Sequence, residues 1–285
     1  MQEHDAKKGI IIRGIGGFYY IMLESGQVAE CSLRGRLRRL EFKPAVGDNV
    51  TVSLVGDALK GGVVEEIAHR RNMLIRPKVA NVDQICIVIA AMSPGPDFYL
   101  VDKLLTHAYF AGIDAVVVIN KTDLICAEEY AMIYRNAGCP VYFVSAKTNE
   151  GIDELKGIFA NKTTVLAGNS GVGKSSILRT FGLDVKTGDI SKIERGKHTT
   201  RECELLSACG GFVIDTPGFS TLDVGYYSKE ELQNSFSEFA KYAECKFKDC
   251  CHINVDGCNV IAAVAADEIA LSRYENYCEM YNQLN

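Results

Sequence analysis

Eight consecutive residues, Gly168, Asn169, Ser170, Gly171, Val172, Gly173, Lys174 and Ser175, constrain this chain more than any other segment. GNSGVGKS fits the pattern of a phosphate-binding loop, and it stands where such a loop must stand, after the β-rich run TTVLA and before a helical stretch. The glycines let backbone N–H groups turn inward on phosphate oxygens, Lys174 reaches the terminal phosphates, and the Ser175 hydroxyl ligates magnesium. A loop of this kind joins a strand to a helix, which commits the surrounding chain to an α/β sheet.

The flanking sequence agrees. From residue 79 apolar β-branched runs alternate with helix-length stretches: ICIVIAAM, FYLVDKLLTHAYFAG closed by Gly112, AVVVIN, a further helix, then VYFVSA. Strands buried on both faces with helical crossovers predict a parallel sheet. TTVLAG, ECELL and GFVID supply further strands. Two strands end in segments that can read a base: Asn120-Lys121-Thr122-Asp123 after AVVVI, and Ser145-Ala146-Lys147 after VYFV. A carboxylate such as that of Asp123 accepts two parallel N–H bonds from guanine N1 and N2, and adenine has no amino group there. A site built for those donors rejects the wrong base by about 10⁴ or more, because the carboxylate would be left unpaired. Asp215-Thr-Pro-Gly218 follows GFVI; its aspartate can hold magnesium through water, and the Gly218 amide can sense the terminal phosphate.

The order of these elements is unusual. Ordinary GTPases place the phosphate loop first and the guanine-reading elements last, whereas here NKTD and SAK precede GNSGVGKS and DTPG comes at the end. The expectation is a circularly permuted P-loop GTPase domain. The same sheet can form, because ligands gather at the carboxyl ends of strands wherever the chain begins. Permutation puts everything after Gly218 directly downstream of the segment that senses the terminal phosphate.

Up to about residue 68 the texture differs: short β-rich runs (GIIIR, FYYIML, QVAEC, NVTVSLV, GVVEEI) separated by GIGG, ESG and VGD. Five short strands without an intervening helix predict a small antiparallel barrel of the oligonucleotide-binding (OB) type. Arg34-Gly-Arg36-Leu-Arg38-Arg39 falls between two of those strands, either a solvated loop or a phosphate contact. Residues 1–78 carry 13 Lys and Arg against 9 Asp and Glu, residues 79–224 carry 13 against 17, and residues 225–285 carry 5 against 10. The net charge of −5 thus hides a basic front that suits a polyanion. With 47% hydrophobic and 24% charged residues, wholesale disorder is excluded. The longest apolar run, Ile85–Met92, is less than half the length a bilayer-spanning helix needs, so no membrane association is expected. MQEHDAKKG has no apolar stretch after its charges, which predicts neither signal nor transit peptide and a cytoplasmic location.

Ser228-Lys-Glu-Glu231 is a capping box that predicts a helix to about Tyr242, and a helical tail is expected up to Asn285. Between them lies Cys245-x₄-Cys250-x-His252-x₅-Cys258. Three thiolates and an imidazole make a closed tetrahedral zinc set with no open position, so the metal would be structural. Cys251 competes with Cys250 or His252 as a ligand. Three parts follow: an OB-fold RNA-binding domain at 1–70, a permuted GTPase domain at 71–224, and a zinc-knuckle and helical domain at 225–285.

The front barrel, the permuted order NKTD, SAK, GNSGVGKSS, GKHTT, DTPGF, and the knuckle together resemble the RsgA (YjeQ/YloQ) family of ribosome small-subunit-dependent GTPases. The resemblance spans essentially the whole chain, including RYENY in the tail. It implies a GTP phosphohydrolase that binds the 30S subunit and its 16S rRNA late in maturation, is strongly activated there, and leaves after hydrolysis. It implies GTP/GDP, Mg²⁺ and one structural Zn²⁺. Carried over residue by residue, the nucleotide site covers Asn120 to Asp123, Ser145 to Lys147 and Gly168 to Ser176. The magnesium set is Ser175 and Asp215 with a switch threonine from GKHTT, where Thr200 is preferred to Thr199. The zinc ligands are Cys245, Cys250, His252 and Cys258. Departures are Cys251 within the knuckle and a short acidic N-terminal lead in place of a longer basic arm.

Phe219 follows DTPG where many GTPases have a glutamine that orients the attacking water. Phenylalanine cannot do this, so intrinsic hydrolysis should be slow, with His198 or a group from the partner completing the site. Residues 184–201 are expected to order only with nucleotide and partner. A P-loop kinase would leave NKTD and SAK without a job, and a decayed nucleotide site would not keep Lys174, Ser175 and Asp215. A monomer is expected.

Overall fold

The computed structural model describes residues 4–37, 43–55, 58–75, 77–183, 203–215, 225 and 227–284. The chain divides into two compact units, one made of Met1–Asp83, Phe159–Val165 and Lys186–Pro217, the other of Gln84–Ile158, Leu166–Val185 and Gly218–Asn285.

In the first unit β1 (His4–Ile15), β2 (Phe18–Leu23), β3 (Val28–Leu33), β4 (Asn49–Val55) and β5 (Lys60–Ile67) close into a barrel in the order β1-β2-β3-β5-β4. Alternate residues point inward, as period-two sequence requires, so Ile11, Ile21, Leu23, Ala29, Cys31, Val52 and Val64 fill the lumen. The expected antiparallel barrel is corrected at one pair, since β3 runs parallel to β5. Five strands in a closed ring cannot all alternate direction, so one parallel pair is unavoidable. In the loop after β3, Arg34 is paired with the Glu65 carboxylate and Arg36 donates to the Glu65 carbonyl at 2.8 Å. Arg38 and Arg39 lie outside the described residues. A two-stranded ribbon, β6 (Met73–Leu74) with β7 (Val79–Ala80), follows the barrel.

The remaining strands are β8 (Gln84–Ala90), β9 (Asp114–Asn120), β10 (Val141–Phe143), β11 (Thr163–Ala167), β12 (Leu206–Ala208) and β13 (Gly211–Asp215). They form one sheet in the order β10-β9-β8-β11-β13-β12. β8, β9 and β10 are parallel, and β12 pairs antiparallel with β13. Every residue of β8 is buried, which is why ICIVIA reads as an unbroken apolar run rather than an alternating one. The register Ala90 opposite Asn120, and Ile119 opposite Phe143, brings the carboxyl ends of these strands side by side. The strand expected at ECELL lies a few residues later, at Leu206–Ala208.

In the second unit α1 (Phe98–Ala111) begins at Asp97, whose Oδ1 accepts from Leu100 N at 3.0 Å, and ends at Gly112 with φ of 61°. Its Leu100, Val101, Leu104 and Ala108 are buried. α2 (Glu128–Asn136) follows as expected; α3 (Ile152–Phe159), in the segment IDELKGIF, was not among the expected helices. α4 (Lys174–Thr180) opens from the phosphate loop. The capping box at Ser228 is present, with Glu231 N donating to Ser228 Oγ and Ser228 N to Glu231 Oε2. The helix it starts, α5 (Lys229–Ser235), stops well before Tyr242. Ser235 Oγ donates to Leu232 O at 2.7 Å, and Phe236 leaves helical ψ before a 3₁₀ turn over Ser237–Tyr242. The tail is likewise two helices, α6 (Asn259–Ala265) and α7 (Leu271–Gln283), separated where Asp267 adopts φ of 58°. Among the described residues no helix is long and apolar enough to cross a membrane.

Candidate functional site

The site starts from the parallel register of β8, β9 and β10, because it delivers their following loops to one edge of the sheet. Asn120 closes β9 and is 2% exposed. Its Nδ2 donates to Val172 O at 2.8 Å, and its Oδ1 accepts from Ala146 N at 3.1 Å. One side chain therefore ties NKTD to both the phosphate loop and SAK. Lys121 has φ of 64° and donates through Nζ to Ser93 O. Thr122 Oγ1 donates to Val144 O at 3.0 Å, which fastens the tetrad to the end of β10. Asp123 Oδ1 accepts from the buried Ser145 hydroxyl at 2.7 Å, and Lys147 Nζ stands 3.7 Å from Oδ2. The Ser145 hydrogen bond, with help from Lys147, holds the Asp123 carboxyl below the usual carboxylate range. The group is thus an ionised acceptor, as guanine N1–H and N2–H require.

The phosphate loop leaves β11 at Gly168, with φ of 135°. A side chain here would put its Cβ 2.1 Å from Val88 O, so the loop lies directly against β8. Gly173, with φ of 98°, would put a Cβ 2.2 Å from Asn120 Nδ2. Both conformations and both close approaches require glycine. Lys174 Nζ donates to Gly168 O at 2.7 Å and Asn169 O at 2.9 Å, folded over the loop it serves. Asn169 Nδ2 donates to Asp97 Oδ2 at 2.9 Å. Ser170 and Gly171 form the exposed crest of the loop, and Ser175 and Ser176 stand in the first turn of α4, both half-buried. Asp215 is the last residue of β13; its side chain, together with His198, Thr199, Thr200, Gly218 and Phe219, lies outside what is described. Sequence reasoning missed Ser93 and Asp97. The signal for Asp97 was the N-cap position of a strongly helical run.

In the tail one Sγ each from Cys245, Cys250 and Cys258 and one ring nitrogen of His252 lie within 4.8 Å of one another. Cys245 Sγ and Cys258 Sγ are 3.8 Å apart, and His252 Nδ1 is 3.6 Å and 3.3 Å from them. A tetrahedral ion with bonds of about 2.3 Å to sulfur and about 2.0 Å to nitrogen requires edges of roughly 3.8 and 3.5 Å. The donor set fits zinc. Burial opposes ionising Cys245, yet the backbone N–H groups of Asn259 and Val260 and the neighbouring thiols lower its pKa, while burial pushes Cys258 up to about 11. Burial also lowers the His252 pKa and keeps its imidazole neutral. Cys251 stands outside the group, its thiol directed at Ile253 O. Gln233 of α5, which sequence did not flag, meets His252 Nε2 at 3.0 Å. The Gln233 atom facing the ring is Nε2; with Nδ1 turned to the thiols and the proton on His252 Nε2, turning that amide over presents its oxygen as the acceptor.

Guanine-reading loops and a phosphate loop at adjoining strand ends, with the phosphate loop second in the chain, define a circularly permuted GTPase with a zinc-type knuckle behind it. A family model described as RsgA GTPase matches residues 67–225, and one described as RsgA N-terminal domain matches residues 8–62. "Small ribosomal subunit biogenesis GTPase RsgA" of Agathobacter rectalis is 42% identical over 97% of both chains, and its namesake in Alkaliphilus metalliredigens is 41% identical over 97% of both. The crystal structure of YjeQ from Thermotoga maritima has a TM-score of 0.82 at 36% identity, covering 98% of each chain. That of YloQ, a circularly permuted GTPase, has a TM-score of 0.80 at 36% identity, covering 99% of this chain and 96% of its own. The chain belongs to the RsgA GTPase family and is a GTP-hydrolysing enzyme.

Proposed function

We propose that this enzyme acts on the small ribosomal subunit late in its maturation: it binds the 30S particle in the GTP form, hydrolyses GTP slowly alone and fast when bound, and departs as the GDP form. The observation that carries the nucleotide half is the Asn120 bridge, which makes one pocket of the guanine-reading and phosphate-holding loops. The ribosomal half is supported by relatives that match end to end and bear that name.

In this reading Asp123 selects guanine, with Asn120, Lys121, Thr122, Ser145, Ala146 and Lys147 shaping its pocket. Gly168 to Ser176 wrap the phosphates and Lys174 neutralises the charge that develops on them. Ser175, Asp215 and Thr200 are the proposed magnesium residues. Water attacks the γ-phosphorus and the bond to GDP breaks, releasing phosphate; His198 or a ribosomal group orients that water. Bound zinc would supply a fixed crosslink held by Cys245, Cys250, His252 and Cys258. The proposed domains are 1–70, 71–224 and 225–285, with the barrel and the knuckle each offering a surface to 16S rRNA, and the protein is a cytoplasmic monomer.

The test is GTP hydrolysis by the purified protein with and without stoichiometric 30S subunits, beside an ATP control. A slow, GTP-only rate that rises about a hundredfold or more with 30S is expected, since a partner-completed site is worth roughly 10³ to 10⁵. A rate indifferent to 30S would remove the ribosome from the account.

A further inference from the structure

The tail motif RYENY supplies no ligand to nucleotide or metal, yet it is the most densely bonded part of α7. Arg273 is 3% exposed. It donates from Nη1 to Asp102 Oδ1 at 2.6 Å, and from Nε and Nη2 to Glu238 at 2.7 and 2.9 Å. Asn276 Nδ2 donates to Asp102 Oδ2 at 2.6 Å. The two tyrosines of the motif face the knuckle: Tyr274 Oη donates to His252 O and Tyr277 Oη to Cys251 O, both at 2.8 Å. One helix thus holds the metal-ligating loop by its backbone and holds α1 by a buried ion pair.

Along α1 the bonds continue on one stripe. Gln283 donates to Tyr99 Oη, Thr106 Oγ1 meets Ser235 Oγ at 3.0 Å, His107 bonds the Tyr227 hydroxyl, and Phe110 stacks on the Tyr227 ring at 3.9 Å. Positions 99, 102, 106 and 110 recur at helical spacing, so the face of α1 turned to the C-terminal helices is bonded directionally. Two buried acids, Asp102 and Glu238, face one arginine, and burial raises the Asp102 pKa. Such a network is a poor source of stability compared with apolar packing, but its bonds are directional and join α1, α7 and the 3₁₀ turn at Glu238. At the other end of α1, Asp97 divides its two oxygens: Oδ1 caps the helix and Oδ2 holds Asn169 of the phosphate loop. A small hollow lined by Gly95, Pro96, Gly168 and Val172 adjoins this bond.

We propose that Arg273 is a positioning residue for the nucleotide site, acting through Asp102, the rigid helix α1 and Asp97 on the phosphate loop at Asn169, so that nucleotide state and the knuckle-bearing helices are coupled. The proposal rests on the reading of Gly168 to Ser176 as the phosphate site. It deepens that reading by naming the route by which GTP would alter the part of the protein that carries the knuckle. By linkage the coupling is reciprocal.

The experiment is hydrogen–deuterium exchange of the full-length zinc-loaded protein, with and without saturating non-hydrolysable GTP analogue, in wild type, Asp97→Ser, Asp102→Asn and Lys174→Ala. Serine keeps the helix cap but has no second oxygen for Asn169. Asparagine keeps the shape of Asp102 but has one acceptor oxygen where the carboxylate serves both Arg273 and Asn276. In wild type the analogue should slow exchange about fivefold or more in Leu271–Gln283 as well as in the phosphate loop. In Asp97→Ser and Asp102→Asn, at analogue concentrations that saturate them and with zinc content unchanged, loop protection should persist and the α7 response should disappear. Lys174→Ala should lose both responses. An α7 response that survives in Asp97→Ser and Asp102→Asn, or is absent from wild type while the loop is protected, overturns the relay and leaves the phosphate site standing. A wild-type loop that shows no protection overturns the site and the relay together.

Discussion

Replacing Asn120 with alanine should disable the pocket without touching any group assigned to chemistry. Asn120 is 2% exposed and serves two backbone groups, Val172 O at 2.8 Å and Ala146 N at 3.1 Å. Truncation leaves both without their partner in a place water barely reaches, at about 1–3 kcal/mol each. A total of roughly 3 kcal/mol is therefore expected, because the loops can partly relax. Some of that loss appears as lower stability, and some as reorganisation that the nucleotide must drive, so GTP affinity should fall by up to about 10². Asn120→Asp is the sharper variant: one oxygen still accepts from Ala146 N, but the other opposes the Val172 carbonyl, acceptor against acceptor. It should bind GTP no better than alanine does. The assay is thermal unfolding together with titration of a fluorescent GTP analogue for wild type and both variants. Affinity and melting temperature within twofold and one degree of wild type for Asn120→Ala would refute the argument that this side chain holds the three loops together.

Asp123→Asn should lose preference for GTP and gain xanthosine triphosphate, whose carbonyl accepts from the new amide; competition binding with both nucleotides reads this out. Gly168→Ala should abolish nucleotide binding and cost more than about 3 kcal/mol, since its Cβ would lie 2.1 Å from Val88 O; a soluble variant that still binds GTP would show that the loop can move away from β8 without losing its function. Cys250→Ala should drop the bound zinc, measured by elemental analysis, while GTP still binds, and a variant with undiminished zinc would remove Cys250 from the ligand set. Burial lowers the His252 pKa, so as pH falls below about 6.5 the unfolded chain takes up a proton that the folded imidazole resists. The tail should lose stability and release zinc in that direction, and a zinc-release profile flat from pH 7 to 5 would contradict it.

Sequence alone determined what depends on local chemistry and spacing. The glycines of GNSGVGKS, the carboxylate of NKTD, the Cys-x₄-Cys-x-His-x₅-Cys spacing, the unbroken apolar run of β8 and the capping box at Ser228 each carry their meaning within a few residues. The permuted order was legible for the same reason, since it is an order of such words. Tertiary structure decided what depends on residues distant in the chain. The parallel β3–β5 pair follows from closing an odd ring, and the break at Phe236 from a serine that bonds back to its own helix. Asn120 reads locally as part of a base-binding tetrad, but its two partners lie 26 and 52 residues further along the chain. Asp97 reads as a helix cap, and only the fold shows that its second oxygen reaches the phosphate loop 72 residues later. Arg273 and Asp102, 171 residues apart, are two ordinary charges on two helices until packing excludes water from both. Local geometry is written in neighbouring residues, whereas a buried polar bond exists only once the chain has closed around it and left the group no other partner.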